Sequence, residues 1–389
     1  MNTVVNELIQ PIWQASWSID IAQYFFMTGT SIGAYLIFVL AYGFNIKKFT
    51  PIAGLGLIIA LTLDITAPLN LISDLGENGR FYELFYRTHV SSPMSWGGFF
   101  LTSFILYMIY MLLLTFRKTF VEKAVNSKGY IKTFYRLLAF GHLEVSDNQD
   151  KKNRRLLRIL ALIGIPWILT VHGYTGFLLG VDKARPLWHT ALMPVLFLTS
   201  GMISGMGLMI VISALTQRVE TLTQKVNYSL MEIMAKIMAW AIVTDVTLKF
   251  IWYIILWFNG TAMYKPVIQE VFVNSFFNTF IIELLLGMVF PFVVAIVPKL
   301  RRIPWLLYLS SVFAIIGVWV FRLDTVIGGQ QVPKIGAGFY DYSIPFWGKD
   351  GIIQVIGNVA FWILIYVLAI WIIPWQKESR EADRFLNNI

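Results

Sequence analysis

The sequence predicts an all-α polytopic membrane protein, a single integral membrane domain covering residues 1–389. Three observations lead there. Of the side chains, 57% are hydrophobic and only 14% charged, too apolar a mixture for a water-soluble domain. Apolar runs recur that are long enough to cross roughly 30 Å of hydrocarbon at about 1.5 Å per helical residue. Basic residues gather in alternate connections, as they do where loops alternate between the faces of a membrane. Helices rather than strands follow, because a lipid-exposed strand edge leaves backbone groups unpaired.

Taken in order, about nine spans are expected near residues 21–44, 52–71, 95–116, 156–180, 189–214, 235–258, 270–297, 303–322 and 352–374. The first twenty residues lack a positive n-region, so no cleaved signal peptide is expected. Trp13, Trp17 and Tyr24 cluster where the first span enters the membrane and read as interfacial anchors. Residues 117–158 form the longest inner connection, a candidate for a short amphipathic helix on the cytoplasmic surface. Residues 323–351, rich in glycine, proline and aromatics, form an extracytoplasmic loop with the composition of a lid or docking segment. In the fifth span Gly201 and Gly205, beside Ser200 and Ser204, make a small-residue face for close helix approach. Pro68, Pro166, Pro194 and Pro291 are expected to interrupt or kink their helices.

With the N-terminus outside and nine spans, 22 of the 31 Lys and Arg residues fall on one side. Eight, Arg322 among them, fall on the other side, and Lys249 lies within a span. The positive-inside rule makes the richer side cytoplasmic and leaves the C-terminus there. The net charge of +9 therefore reads as topology, and no nucleic-acid partner is expected. With no cysteine, the chain holds neither a disulfide nor a thiolate-ligated cluster.

A charge near the bilayer centre costs roughly 2.5–3.5 kcal/mol even on the mildest scale, so each one needs a partner or a cavity. Asp20, Gln23 and Tyr24 lie near the outer end of the first span, Asp64 in the outer half of the second, and Asn70 near its exit. His172 and Tyr174 end the fourth span, and His189 begins the fifth. Asp245 and Lys249, one turn apart in the sixth, read as an internal ion pair or as a proton-moving pair. Asn274, Asn278 and Glu283 descend the seventh. Glu283 has no cation in its own segment and, like Asp64, reads as a proton-handling group or as a hydrogen-bonded structural acid. Five positions separate Asn278 from Glu283, so a shared face cannot be assumed. His172 and Tyr174 point roughly 200° apart on a regular helix, so one faces a pocket while the other supports it or meets the lipid headgroups, unless Gly173 and Gly176 distort the turn.

Oxidation or reduction of a lipid-soluble quinone fits this arrangement. A quinone needs an apolar cleft, hydrogen-bond partners at its two oxygens and groups that exchange protons. Two other readings share the same residues: an ion-coupled transporter around Asp64, Asp245, Lys249 and Glu283, and a purely structural membrane anchor. A membrane haem needs two histidines at matching depth, and His172 and His189 sit at the boundary, so neither haem nor metal is expected in this chain.

Six stretches carry a family resemblance: YFFMTGTSIGAYL (24–36), SSPMSWGGFF (91–100), HGYTGFLLG (172–180), PLWHTALMPVLFLTSGMISG (186–205), IIELLLGMVFPFVVAI (281–296) and FRLDTVIGGQQVP (321–333). Together they resemble the NrfD/PsrC family, the membrane anchors of polysulfide-reductase-type respiratory complexes. The resemblance implies an NrfD/PsrC-like helical bundle that binds menaquinone or another quinone. It also implies an iron-sulfur electron-transfer subunit carrying the clusters, and a molybdopterin or other catalytic subunit beyond it. The implied quinone site lies near the extracytoplasmic face, between polar residues of an early helix and a tyrosine of the fourth. Tyr174 matches that tyrosine; Asp20 and Gln23 are the early-helix candidates, with His172, Asp64 and Glu283 as proton-handling groups.

Overall fold

The computed structural model describes residues 17–144, 146–218, 228–259, 264–332, 339, 343–348, 350–373 and 375. Trp13, the residues before it, Lys225, Lys334, Lys349, Lys377, Arg380 and Arg384 lie outside the described residues. Among the described residues, nine helices are long and apolar enough to cross a membrane: Ile19–Gly43, Lys47–Asp74, Pro93–Thr115, Asn148–Gly180, Met193–Thr216, Tyr228–Phe258, Phe277–Ile296, Pro304–Gln331 and Ile352–Ile372. They are called the first to ninth spans below. Their number and order match the apolar runs of the sequence.

The first span is the hub. Of its most apolar stretch 83% is buried, against 17% for the ninth span, which lies at the edge against the second. The hub packs on the second, fifth and eighth spans. Its seam with the fifth has a steric cause. A Cβ on Gly33 would stand 2.6 Å from Gly205 Cα, and one on Gly201 would stand 2.5 Å from Gly29 O. No side chain fits at either place, so the two backbones meet directly. Thr30 Oγ1 and Ser204 Oγ, 2.9 Å apart, tie the seam. The small face of the fifth span therefore meets GTSIG of the first.

Two helix ends differ from the sequence reading. The eighth span continues through Asp324–Gly328 and Gly329–Gln331, so residues 324–331, read as the start of the external loop, are helical. The Gly-Gly pair signals a break, yet distant donors hold the end. Arg185 Nη1 donates to Gln330 O at 2.9 Å and Val332 O at 3.2 Å, and Trp188 Nε1 donates to Thr325 O at 2.6 Å. These bonds satisfy carbonyls that a helix C-terminus otherwise leaves open. The fourth helix starts early, at Asp147, because Ser146 Oγ accepts the Gln149 N–H at 3.2 Å as an N-cap. Lys151 to Arg158 thus belong to that helix. The rest of the inner connection contains the helices Arg117–Asn126 and Gly129–Leu138, the second with Tyr130, Ile131, Phe134 and Leu137 exposed.

Trp17 and Tyr24 are packed internally and are not free interfacial anchors. Trp17 stacks on Trp188 with ring centroids 5.2 Å apart, and its backbone is clasped by the Gln330 amide at 3.0 and 2.8 Å; Tyr24 is buried. Pro166 sits inside an unbroken helix, while Pro68 opens the short helix Pro68–Asp74. The seventh span departs furthest from the 3.6-residue period. Glu270–Asn274 and Phe277–Val289 are π-helical, and Pro291 lies just beyond them in Phe290–Ile296. Bonding from i to i+5 brings positions five apart towards one side. Asn278 and Glu283 thereby face the same half of the bundle, a relation that an α-helical period hides.

Candidate functional site

Two buried polar clusters lie inside the bundle. The first joins the first four spans. His172 of the fourth span, 1% exposed, places Nε2 at 3.2 Å from Ser31 Oγ of the first and 3.8 Å from Asp64 Oδ2 of the second. Phe104 of the third meets the imidazole edge-on, with centroids 6.0 Å apart. His172 Nδ1 and Asp64 Oδ1 have no hydrogen-bond partner among the described residues. Buried polar atoms are seldom left so, and such orphans mark where a guest or water completes the network.

Tyr174 follows His172 by two positions, and the two stretches HGYTGFLLG and SSPMSWGGFF meet through it. Its hydroxyl donates to Pro93 O at 2.7 Å, its ring lies edge-on to Phe100, and Trp96 stacks on Phe177 beside it. Gly97 is required here, since a Cβ would stand 2.7 Å from the Tyr174 ring. Tyr24 of the first span lies within electrostatic range of both Tyr174 and Asp64. Tyr24, Thr28 and Ser31 share one helical face by their spacing.

The second cluster joins the fifth to eighth spans. Lys249 Nζ lies 2.6 Å from Asp245 Oδ2 and 2.6 Å from Glu283 Oε1. Asp245 Oδ1 also accepts from Thr199 Oγ1 at 2.7 Å. Arg322, fully buried, stacks on the Phe197 ring at 3.6 Å and donates to Phe197 O at 2.8 Å and Ser200 Oγ at 2.9 Å. Asp245 and Glu283 act on its guanidinium, and the guanidinium in turn acts on His172 of the first cluster. Towards the Gln331 end of the eighth span, Asn278 Nδ2 donates to Asp324 Oδ1 at 3.0 Å, and Asn274 Nδ2 donates to Glu270 Oε2 at 2.7 Å. These residues line a cavity of about 530 Å³.

The sequence candidates divide between these places. His172 and Asp64 come together, whereas Tyr174, two positions on, packs on the third span at Pro93 and Phe100. Glu283 does not join them and is not without a cation: Lys249 reaches it from the sixth span, a contact that reading the seventh segment alone cannot reveal. Gln23 turns to the eighth span, where Trp319 Nε1 donates to its Oε1 at 2.7 Å, while its amide nitrogen has no partner among the described residues. Asp20 is fully buried in the first turn of the first span, its N–H bonded to the N-cap Ser18 at 3.2 Å. His189 is exposed and bonded to Gly180 O at 2.9 Å, two helical turns beyond His172, so the two histidines do not form a facing pair. Sequence reasoning misses Ser31, Thr199 and above all Arg322, which reads there as an outer loop charge. Its position between apolar residues in VWVFRLDTVIG is the available signal.

Among the described residues, nine apolar helices around two buried polar clusters define a multi-pass membrane protein. Residues 7–334 match the family described as Polysulphide reductase, NrfD, and the chain belongs to that family. It is 26% identical to a selenate reductase subunit of Mesobacillus selenatarsenatis, over 95% of this chain and 88% of that one. It is 24% identical to a tetrathionate reductase subunit of Salmonella typhimurium, over 94% of each. Similarity also extends to the Hdr-like menaquinol oxidoreductase integral membrane subunit of Archaeoglobus fulgidus, 22% identical over 91% of this chain and 83% of that one.

Proposed function

We propose that this chain is the quinone-exchanging membrane subunit of a respiratory oxidoreductase complex. In this reading the N-terminus is extracytoplasmic and the C-terminus cytoplasmic, as the distribution of basic residues supports. Electrons pass between menaquinone, or another quinone, and an iron-sulfur partner subunit, with a molybdopterin or other catalytic subunit beyond. The names of the relatives support the assembly, since several are subunits of reductases and one is a menaquinol oxidoreductase subunit. The single observation that carries the site is the group of orphaned polar atoms, His172 Nδ1 and Asp64 Oδ1, buried where the first, second and fourth spans meet. Such atoms suit a lipid-soluble guest with hydrogen-bonding oxygens at the end of an apolar body.

Oxidation of a bound quinol yields two electrons and two protons, and His172 with Asp64 provides a path for one of the protons. The Tyr174 hydroxyl gives its own hydrogen to Pro93 O and keeps a lone pair to accept from a quinol hydroxyl. His172, held between Ser31 and Asp64, passes a proton inward to the Asp64 carboxylate. Trp96, Phe100 and Phe177 form apolar walls against water.

Tyr174→Phe tests the assignment. It removes the bond to Pro93 O and the one from quinol, the latter worth about 0.5–1.5 kcal/mol, and keeps the ring against Gly97, so the KM for quinol should rise by roughly two- to tenfold with assembly intact. A variant whose quinol-dependent turnover matches wild type at every quinol concentration would remove Tyr174 from the site.

A further inference from the structure

A second opening lies on the opposite half of the bundle. A groove of about 450 Å³ separates the sixth and seventh spans, with Phe250, Tyr253, Trp257, Phe272 and Phe280 along its walls. Phe250 and Trp257 are 64% and 57% exposed, so the groove opens sideways, where a bilayer would lie. Its floor is different. Lys249 and Glu283, 2.6 Å apart and both buried, close the inner end. The π-helical course of Phe277–Val289 sets this shape: Thr279 and Leu284, five positions apart, both face the groove.

An apolar slot that ends on a buried ion pair asks for a guest with a matching polarity gradient. The charges say which kind. Lys249 is already paired with both Asp245 and Glu283, so an anionic or cationic head would have to displace one of these ion pairs, whereas a neutral head leaves them intact. Lys249 can donate to a carbonyl oxygen and Glu283 can accept from a hydroxyl. The aromatic walls provide faces and edges for a ring.

We propose that this groove is a second binding site, separate from the one at Tyr174, for a neutral ring-headed membrane amphiphile of the quinone and hydroquinone class. The head sits against Lys249 and Glu283, and the tail leaves between Phe250 and Trp257 into the lipid.

The test uses the full chain in lipid nanodiscs and a short-tailed naphthoquinone bearing a photoreactive azide, with labelled peptides read by mass spectrometry. Labelling is expected in residues 246–258 and 272–288, displaced by unlabelled naphthohydroquinone. Leu284→Trp, which fills the groove without touching the ion pair, should lower it about tenfold while labelling at 91–100 and 168–180 persists. Labelling confined to 91–100 and 168–180 overturns this second site and leaves the Tyr174 site standing. Groove labelling alone supports the second site and counts against the first. Groove labelling that persists in Leu284→Trp, or that added phospholipid displaces and naphthohydroquinone does not, assigns the groove to ordinary bilayer lipid and overturns the proposal.

Discussion

Asp64→Asn is expected to lower quinol-dependent electron transfer by about 10²–10⁴-fold, the usual worth of a positioned proton-transfer group. The substitution is nearly isosteric and replaces a buried carboxylate with a neutral amide, so it relieves a desolvation cost and leaves the packing of the first, second and fourth spans in place. The lost function is the proton-accepting one. Because His172 Nε2 lies between Ser31 and Asp64, the imidazole in the variant keeps a hydrogen-bonding neighbour but has nowhere to pass a proton inward. The check is quinol oxidation by the purified complex, alongside electron transfer from an artificial donor that bypasses the quinone site. Loss of the first with retention of the second is the expected pattern. Wild-type quinol turnover would show that Asp64 is only a structural acid.

Arg322→Met carries the second large effect, this time on stability. Arg322 is fully buried and acts on Asp245 and Glu283, while its guanidinium stacks on Phe197 and holds Phe197 O and Ser200 Oγ. Removing one member of a buried charge set leaves the rest uncompensated, at a cost of about 3–5 kcal/mol. The thermal midpoint of the detergent-solubilised chain should fall, and its yield with it. Arg322→Lys keeps the charge but not the planar stack, and should fall between the two. An Arg322→Met protein that melts with wild type would mean that Asp245, Lys249 and Glu283 are balanced without it.

These two residues also mark what the sequence made legible. Asp64 stands alone in an apolar run, and its cost in lipid singles it out before any contact is known. Arg322 stands at the end of such a run, where a basic residue ordinarily faces the lipid headgroups, and only the continuation of the helix to Gln331 carries it inside. That continuation depends on Arg185 and Trp188, more than a hundred residues away, which no local pattern reports. The spans are legible because apolar length is a local property. The small face at Gly201 and Gly205 is legible too, although its partner at Gly29 and Gly33 requires the fold. The seventh span is the hardest to read: a π-helical course changes which residues share a side, and it moves Asn278 and Glu283 into a relation that 3.6-residue counting does not reveal. Gln23 stands out for its polarity at the right end of the first span, yet its carbonyl turns to Trp319 because side-chain direction depends on which neighbour that face meets.

The most direct measurement is an electron-microscopy structure of the native complex with a tightly binding quinone-site inhibitor. Ring density is expected against Tyr174, with a polar atom reaching His172, and the nearest iron-sulfur cluster of the partner subunit within electron-tunnelling range. A Tyr174 region packed shut in the assembled complex, with no entrance from the lipid and no cluster within that range, would contradict this expectation.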